Sequence, residues 1–253
     1  MFVNKLSVVI ITLNEERTIA RCLDSVKDIA DEIVVVDSYS TDRTADICRA
    51  HGAAVIMHKF DGHIEQKNFA LEQASFPFAL SLDADEVLSD ELQKSIAVVK
   101  SGWTHDGYAM NRMTNYCGAW IKHGGWYPDR KIRLFDKRKG RWTGVNPHDR
   151  YELIESGAPV GFLQGDILHY SYDSISSHIK QVDYFTEISA RVLYEKGRKA
   201  SLARLTVSPV FRFFRDFIIK GGLLDGYYGF VICVISSHAV FLKYVKLREL
   251  WKQ

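Results

Sequence analysis

The first ninety residues alternate between short apolar runs and helix-like stretches, and this alternation constrains the fold more than any other feature. The apolar runs cover residues 6–12, 32–37, 54–58 and 78–83. Their length and β-branched content suit buried strands of a parallel sheet. Residues 15–26 and 41–51, which lie between runs, carry apolar side chains at helical spacing. The alternation predicts right-handed crossovers in a doubly wound α/β sheet, with ligands bound beyond the carboxyl ends of the strands.

The composition limits the classes of partner. The 253 residues include 33 basic and 31 acidic side chains, a net charge of +2, whereas a nucleic-acid-binding domain usually has a larger basic excess. We therefore expect no nucleic-acid partner. The four cysteines show no C-x-x-C spacing, so we expect neither a zinc site nor a disulfide framework; they are Cys22, Cys48, Cys117 and Cys233.

The amino terminus and the middle of the chain set the expected organisation. The first apolar run leads directly into charged residues and lacks a small-residue cleavage site, which favours a buried strand over a signal peptide and predicts a cytoplasmic location. Residues 102–150 are rich in Trp, Tyr, Gly, Arg and Asp, which favours shaped loops around a polar ligand. We predict a catalytic domain over residues 1–172 and a helical extension over 173–253.

The predicted extension is basic and aromatic. Residues 191–220 carry eight Lys or Arg against Glu195 and Asp216. The following charge-free run, 227–242, falls short of the ~20 apolar residues that span a membrane. We expect a surface helix on an anionic cytoplasmic leaflet. The alternative is a solvated helix followed by a buried core helix or an oligomer interface.

The strongest chemical signal is the segment 81–86, Ser-Leu-Asp-Ala-Asp-Glu, at the end of the fourth predicted strand. Its two aspartates, Asp83 and Asp85, can approach one hard cation, Mg²⁺ or Mn²⁺, which would also bind phosphate oxygens. His169 is a candidate third ligand or phosphate contact. The alternatives are a solvated acidic turn with Asp83 as a helix N-cap, and a structural hydrogen bond for the histidine.

Two earlier strands end on similar polar groups. The segment Thr-Leu-Asn-Glu-Glu, 12–16, follows the first run, and Asp37 begins the segment that ends at Asp42. A carboxylate at such a position can accept hydrogen bonds from a ribose or a base. Asn14 and Asp42 could instead cap the following helices. Convergence of three such strand ends on one crevice favours a binding site.

These elements together resemble a known family. The segments SVVIITLNEE, IVVVDSYSTDRT, QKNFAL at 66–71 and LDADE at 82–86 are similar in order and spacing to glycosyltransferase family 2, which has the GT-A fold. The later stretches GGWYPDRKIRLF, the His-Asp pair at 148–149 and LKYVKLREL resemble the lipopolysaccharide-core β-glucosyltransferases, which act on heptose.

The resemblance implies a role for each matching residue. Asp37 falls where the family binds the uracil end, and Asp83 and Asp85 match the metal and diphosphate motif, with Asp85 as the direct ligand. The remaining implied contacts to the nucleotide or its diphosphate are Thr12, Asn14, Glu16, Lys67 and Asn68.

Family members mostly invert the anomeric centre, which requires a general base near the acceptor hydroxyl and no protein nucleophile. Asp149 is the first candidate, although many relatives have His-Glu where this chain has His-Asp, and Asp129 is the second. Either could instead pair with a neighbouring arginine, such as Arg130 or Arg150. Trp126 and Tyr127 could form a platform for a sugar ring.

The resemblance thus implies transfer of a hexose, with UDP-glucose as the implied donor, onto a lipopolysaccharide-core or other lipid-linked acceptor at the inner face of the cytoplasmic membrane. One alternative is a sugar nucleotidyltransferase. That class should have a Gly-rich loop after the first strand, and residues 12–17 contain no glycine. The other alternative is a non-catalytic binding protein, against which the paired aspartates and the candidate base argue.

Overall fold

The computed structural model describes residues 4–145 and 148–252, with the side chain of His148 outside the described part. The chain divides into two compact units. The first unit runs to Arg112 and resumes over Asp129–Tyr170, and the second comprises Met113–Pro128 and the chain from Ser171 onward. The predicted domain boundary at 172/173 lies two residues from the later division. The assignment of 113–128 to the second unit has no counterpart in the sequence-based prediction.

The strands, in chain order, are β1 (Leu6–Thr12), β2 (Glu32–Asp37), β3 (Ala54–Met57), β4 (Phe78–Asp83), β5 (Glu86–Leu88), β6 (Gly107–Tyr116), β7 (Ala119–Ile121), β8 (Asp129–Asp136), β9 (Gly140–Val145), β10 (His148–Leu153) and β11 (Val160–Tyr172). The α-helices are α1 (Ile19–Val26), α2 (Thr44–Ala50), α3 (His63–Gln73), α4 (Asp90–Ser101), α5 (Ile175–Glu195), α6 (Leu202–Phe214) and α7 (Gly226–Leu250). A π-helical turn (Arg215–Ile219) and a 3₁₀ turn (Gly222–Asp225) join the last two helices.

The main sheet is mixed, with strand order β3-β2-β1-β4-β8-β6-β11-β5. The first four strands are parallel, and their register places Thr12 opposite Asp37. Strand β8 then pairs antiparallel with both β4 and β6. The predicted α/β class and helical carboxyl-terminal region are confirmed, and three of the four predicted strands match to the residue.

The sheet separates two apolar layers. Alternate β1 residues point to opposite faces, so Val8 and Ile10 pack with the stripe of α1 that includes Leu23, while Val9 packs with α3 through Ala70. Both predicted helices begin three or four residues later than expected, at Ile19 and Thr44. The residues ahead of them form the loops that carry the site.

The expectation of loops over residues 102–150 is wrong, because strands β6 to β10 occupy most of that segment. Its aromatic side chains are core residues: Phe135, Trp142 and Tyr151 are buried together, and the Phe135 and Tyr151 rings stack with centroids 3.5 Å apart. Aromatic residues favour strands when they pack on a sheet face, which composition alone does not reveal.

The second unit is mostly helical and has its own small core. Tyr116, Ile121 and Ile232 are buried in it, and Trp126 packs against this cluster. The Tyr116 hydroxyl lies 2.9 Å from Nδ1 of His178. Burial lowers the pKa of His178 to about 4. Trp126 contacts the Tyr116 ring edge-on, which gives it a packing role in this unit.

The last helix corrects one expectation. The charge-free run 227–242 lies inside α7, a helix of 25 residues that extends beyond the run at both ends. The segment Gly222–Leu250 is therefore long and apolar enough to cross a membrane, judged by length and composition alone, and 22% of its most apolar window is buried. The prediction that this segment is too short was wrong, because it counted the uncharged residues and not the helix.

Candidate active site at the carboxyl ends of the strands

The ends of β1 and β2 bring two buried polar side chains side by side. Thr12 and Asp37 are opposite in the strand register. Oδ1 of Asp37 accepts a hydrogen bond from Ser40 N at 2.6 Å. The Thr12 hydroxyl and Oδ2 of Asp37 have no hydrogen-bond partner within residues 4–145 and 148–252. Buried polar atoms are nearly always satisfied, so this pair points to a ligand with complementary polar groups.

The loops that follow these strands hold each other. Asn14 adopts a positive φ of 55°, and its Oδ1 accepts from Thr41 N at 2.8 Å. Glu16 accepts from Arg43 N at 3.2 Å. Oδ1 of Asp42 accepts from Thr44 N at 3.0 Å, one residue ahead of Arg43, which is the N-cap of α2. The implied nucleotide contacts of Asn14 and Glu16 stay predictions, because both side chains already order this loop pair.

Three successive residues of α3 reach three different parts of the first unit. Gln66 donates to the Ser38 hydroxyl at 2.9 Å, next to the end of β2. Asn68 uses both atoms of its amide on the backbone of Trp142, at 3.0 Å each, and so fixes β9. Lys67 points to the carboxylates at the sheet edge. Asn68 therefore positions the site in this structure, and its contact to a nucleotide stays a prediction.

Lys67 joins two of the predicted site residues. Its Nζ lies 3.0 Å from Oδ1 of Asp83 and 2.8 Å from Oδ2 of Asp149. The lysine is 2% exposed. Lysine is rarely so buried unless it is paired. This single cation therefore connects the end of β4 with the start of β10, which are distant in sequence.

Arg133 on β8, which the sequence reasoning missed, completes the charge network. Its guanidinium lies 3.2 Å from Oδ2 of Asp83 and 2.9 Å from Oε1 of buried Glu86. Arg112 approaches the same Glu86 oxygen at 3.4 Å. Burial alone would raise the pKa of Asp83, but the Lys67 and Arg133 charges outweigh it and hold that pKa well below its usual range. Asp83 is therefore an ionised carboxylate with two cationic partners.

The predicted metal ligands separate into two groups. Oδ2 of Asp85 lies 3.0 Å from Nε2 of His169, whereas Asp83 contacts cations. Burial would lower the pKa of His169, but the Asp85 charge outweighs it and raises that pKa. No set of three metal-ligating side chains is assembled in the part of the chain that the structure describes. Ser89 is the N-cap of α4, so the N-cap alternative for Asp83 is wrong.

Asp85 and His169 fit a divalent cation as a two-residue donor set. A carboxylate oxygen and an imidazole nitrogen together suit Mn²⁺, and phosphate oxygens of a ligand would complete the coordination. Asp83 pairs with Lys67 and Arg133, which both donate to its Oδ2, while its buried Oδ1 accepts no hydrogen bond within residues 4–145 and 148–252.

A cavity of about 530 Å³ opens beside Lys67, and six of its lining residues are cationic while two are acidic. The lining comprises Lys67, Asp83, Arg112, Arg130, Lys131, Ile132, Arg133, Trp142, Asp149, Arg150 and Tyr151. A cavity of this size and charge suits a phosphorylated ligand.

The two candidate bases occupy different surroundings. Asp149 lines the cavity. Asp129 is absent from the described lining and pairs with Arg112 at 2.9 Å and with Lys131 at 3.1 Å. Neither aspartate pairs with Arg130 or Arg150 within the described residues: Arg150 pairs with Glu152, and Arg130 lies over the Phe162 ring at 4.6 Å. The expectation that Arg130 or Arg150 pairs with these aspartates was therefore wrong. Asp149 lines the cavity and pairs with Lys67, and its role as the base stays a prediction.

Comparison with known proteins gives this site its family. An uncharacterized glycosyltransferase of Rickettsia typhi is 34% identical over 97% of this chain and 87% of its own length. The lipopolysaccharide core biosynthesis glycosyltransferase LpsC of Rhizobium meliloti is 27% identical over 96% of this chain and 92% of its own. A solved structure of glucosyl-3-phosphoglycerate synthase from Mycobacterium tuberculosis, in complex with Mn²⁺, UDP and glucosyl-3-phosphoglycerate, is 25% identical over 44% of this chain and 44% of its own, with a TM-score of 0.37.

The sequence model described as "Glycosyl transferase family 2" matches residues 7–152, which is more than half of the chain and includes the ends of β1, β2 and β4. The resemblance seen in the sequence is confirmed. The chain belongs to glycosyl transferase family 2 and is a glycosyltransferase.

Proposed function

We propose that the chain is an inverting hexosyltransferase that uses a UDP-hexose, with glucose as the first sugar to test, and a lipopolysaccharide-core or related lipid-linked glycan as acceptor. The observation that carries the proposal is Asp149, a carboxylate inside a cavity otherwise lined mainly by cations. The relationship to LpsC along nearly the whole chain supports the acceptor class.

The donor is held by charge and by two unpaired polar atoms. The cationic lining offers Lys67 and Arg133 to a diphosphate. The Thr12 hydroxyl and Oδ2 of Asp37 supply hydrogen-bonding groups for the ribose or base at the neighbouring strand ends.

Asp85 and His169 would hold the divalent cation. When bound, a cation supplies Lewis-acid neutralisation of the charge on the leaving diphosphate. His169 Nε2 lies 3.0 Å from Oδ2 of Asp85, so the two proposed donors already lie together, whereas Asp83 pairs with Lys67 and Arg133.

Asp149 takes the proton in the transfer step. The acceptor oxygen forms its bond to the anomeric carbon while the bond from that carbon to the diphosphate oxygen breaks. The electron pair leaves with the nucleoside diphosphate, and the hydroxyl proton moves to Asp149. Since this is a single displacement, the anomeric configuration inverts. The contact between Lys67 and Asp149 means that a diphosphate which attracts Lys67 frees the carboxylate for this role.

Product analysis tests the proposal. The full chain is incubated with Mn²⁺, a panel of UDP-sugars and truncated lipopolysaccharide that ends in heptose. We expect UDP release that depends on the acceptor, with UDP-glucose as the most active donor and an inverted linkage by NMR. Exchange of pyrophosphate into the donor would instead indicate a nucleotidyltransferase. No turnover of any donor, by a sample that binds UDP, would contradict the proposed transfer to this acceptor class.

A further inference from the structure

The turn between α6 and α7 exposes a group of large apolar side chains, here called the apolar tip. Its members are Phe214, Ile218, Ile219, Leu223, Leu224 and Tyr227. Ile219 is 75% exposed, and Leu224 and Tyr227 are each 67% exposed. Isolated exposed apolar residues are ordinary, but a contiguous group of this kind marks a surface that meets another apolar phase.

The apolar tip continues a stripe along α6. Val207, Phe211, Phe214 and Ile218 follow one another at spacings of three or four, and all are exposed. In a soluble protein a stripe with this period normally faces the core. Here the stripe faces outward while the opposite side of α6 packs on α7.

No carboxylate is exposed on the apolar tip. Asp216 is buried between Arg212 and Arg215, and Asp225 pairs with His123 at 2.8 Å. The structure describes all of residues 214–242, and within them Lys220 is the one charged side chain in the exposed class. The surface is therefore apolar with a cationic bias.

The second unit holds the apolar tip in place. The Asp225 carboxylate accepts hydrogen bonds from the backbone of Lys122 at 3.2 Å and of His123 at 2.8 Å. The carbonyl of Lys220 accepts from Gly124 N at 3.0 Å. These bonds order the turn before any partner arrives, so docking need not order it first.

The opposite ends of α6 and α7 are basic and aromatic. Lys199 lies over the Trp251 ring at 4.9 Å, and Tyr194 contacts the same ring at 4.8 Å. Lys, Arg, Trp and Tyr are the residues that favour the headgroup region of a bilayer. Helix α6 has 13 residues. At 1.5 Å per residue this is about 20 Å, comparable to one leaflet with its headgroups.

We propose that the apolar tip inserts into one leaflet of a bilayer with anionic headgroups, while the basic ends of α6 and α7 remain at the headgroups. The charge pattern favours this occupant over a second copy of the chain. Residues 191–215 contain seven Lys or Arg and one acidic residue, so two copies would repel each other and anionic headgroups would attract this segment. Docking does not depend on the transfer chemistry, but it would bring the enzyme to a lipid-linked acceptor.

Vesicle flotation of the full chain tests this proposal. The vesicles contain either phosphatidylcholine alone or equal parts of phosphatidylcholine and phosphatidylglycerol. We expect binding to the anionic vesicles. The double variant Ile219→Ser/Leu224→Ser should bind them about a hundredfold more weakly, since each buried side chain of this size contributes about tenfold. UDP affinity, measured in the same preparations, should not change.

The matched control is Val98→Ser/Ile154→Ser, which alters two side chains of the first unit that are 71% and 74% exposed. It should float like the wild type. Unchanged flotation of the tip variant, equal binding to both vesicle types, or no binding by the wild type would each overturn the proposal. A lipid-free dimer that the tip variant converts to a monomer would instead assign the apolar tip to self-association. Because UDP affinity is read separately, a defective donor site would be recognised independently.

Discussion

The two units differ in the kind of energetically costly side chain that they concentrate in one place. The first unit buries charges at its sheet edge and pairs them: Lys67, Arg133 and Glu86 are all buried in one network. The second unit buries a histidine whose pKa is lowered to about 4, and exposes Ile219 and Leu224. Buried, paired charge is costly unless the geometry is good, and exposed apolar surface is costly in water. In each unit the unfavourable free energy is thus concentrated where a ligand would reduce it. A charged ligand would do so at the sheet edge of the first unit, and an apolar phase at the exposed side chains of the second.

The largest effect is expected for the base in the first unit. Asp149→Asn removes the proton acceptor while it keeps the shape and one oxygen, so the transfer rate should fall about 10²–10⁴-fold. UDP affinity should change by only a few-fold. Steady-state transfer and calorimetry measure the two quantities. Asp129→Asn is the matched control, because Asp129 is absent from the described cavity lining and is paired with Arg112, and the variant should retain most activity. A larger loss for Asp129→Asn would reverse the assignment.

The paired charges give the next largest effect, on stability. Arg133→Met leaves Glu86 and Asp83 with one cationic partner fewer in a buried setting, so the free energy of unfolding should fall by about 3–5 kcal/mol. Arg130→Met should change it by less than about 0.5 kcal/mol, because Arg130 is exposed and has no carboxylate partner among the described residues. Urea unfolding measures both. Equal losses would show that the network does not stabilise the first unit.

The neutral histidine of the second unit predicts a dependence on pH. Its pKa falls from 6.5 to about 4 on folding, so the unfolded chain binds a proton first as the pH drops. The contribution of His178 to the free energy of unfolding should therefore be constant above pH 6.5, decline between pH 6.5 and 4, and level off below pH 4. The loss from this group approaches about 3 kcal/mol at 1.36 kcal/mol per unit. Thermal melts of His178→Gln should show a shallower slope over this range, whereas exposed His63→Gln should keep the wild-type slope.

The smallest effect tests the unpaired atoms at the strand ends. Thr12→Val removes a buried hydroxyl that has no partner within residues 4–145 and 148–252, so stability should hold or rise slightly. UDP affinity should fall about five- to tenfold, the value of one hydrogen bond. Thr44→Val is the contrast, because that hydroxyl accepts from Glu15 N at 2.8 Å, so stability should fall by about 1 kcal/mol. If Thr12→Val lowered the stability and left the UDP affinity unchanged, the assignment of the Thr12 hydroxyl to the donor site would be wrong.

The parallel half of the sheet could be predicted because its information is local. Each strand is one apolar run, and Asp37, Asp83 and Asp85 follow directly in sequence. The charge network could not be predicted in this way. Lys67 and Asp149 are 82 residues apart, and Arg133 and Glu86 are 47 apart. Nothing in the local pattern of β8 distinguishes Arg133 from a solvated arginine, because only the antiparallel pairing with β4 brings it to Asp83.

The proposed membrane surface stays a prediction, and only some of the features that support it could be read from the sequence. The basic and aromatic composition of residues 191–220 indicated it without the turn geometry. The exposed stripe depends on which side of α6 packs against α7, and that is a tertiary property. The prediction of loops over residues 102–150 was wrong for the same reason, since Phe135, Trp142 and Tyr151 form a core only when their strands meet.

The most direct test of the central claim is calorimetric titration of UDP into the purified chain, with Mn²⁺ and with EDTA, for the wild type and for Asp85→Ala. The account predicts binding that Mn²⁺ strengthens, and loss of this dependence in Asp85→Ala, because Asp85 and His169 are the groups that fit the cation. Binding that is equal with and without metal, and equal in the variant, would contradict the metal assignment. A folded chain that binds no UDP under either condition would contradict the donor site itself.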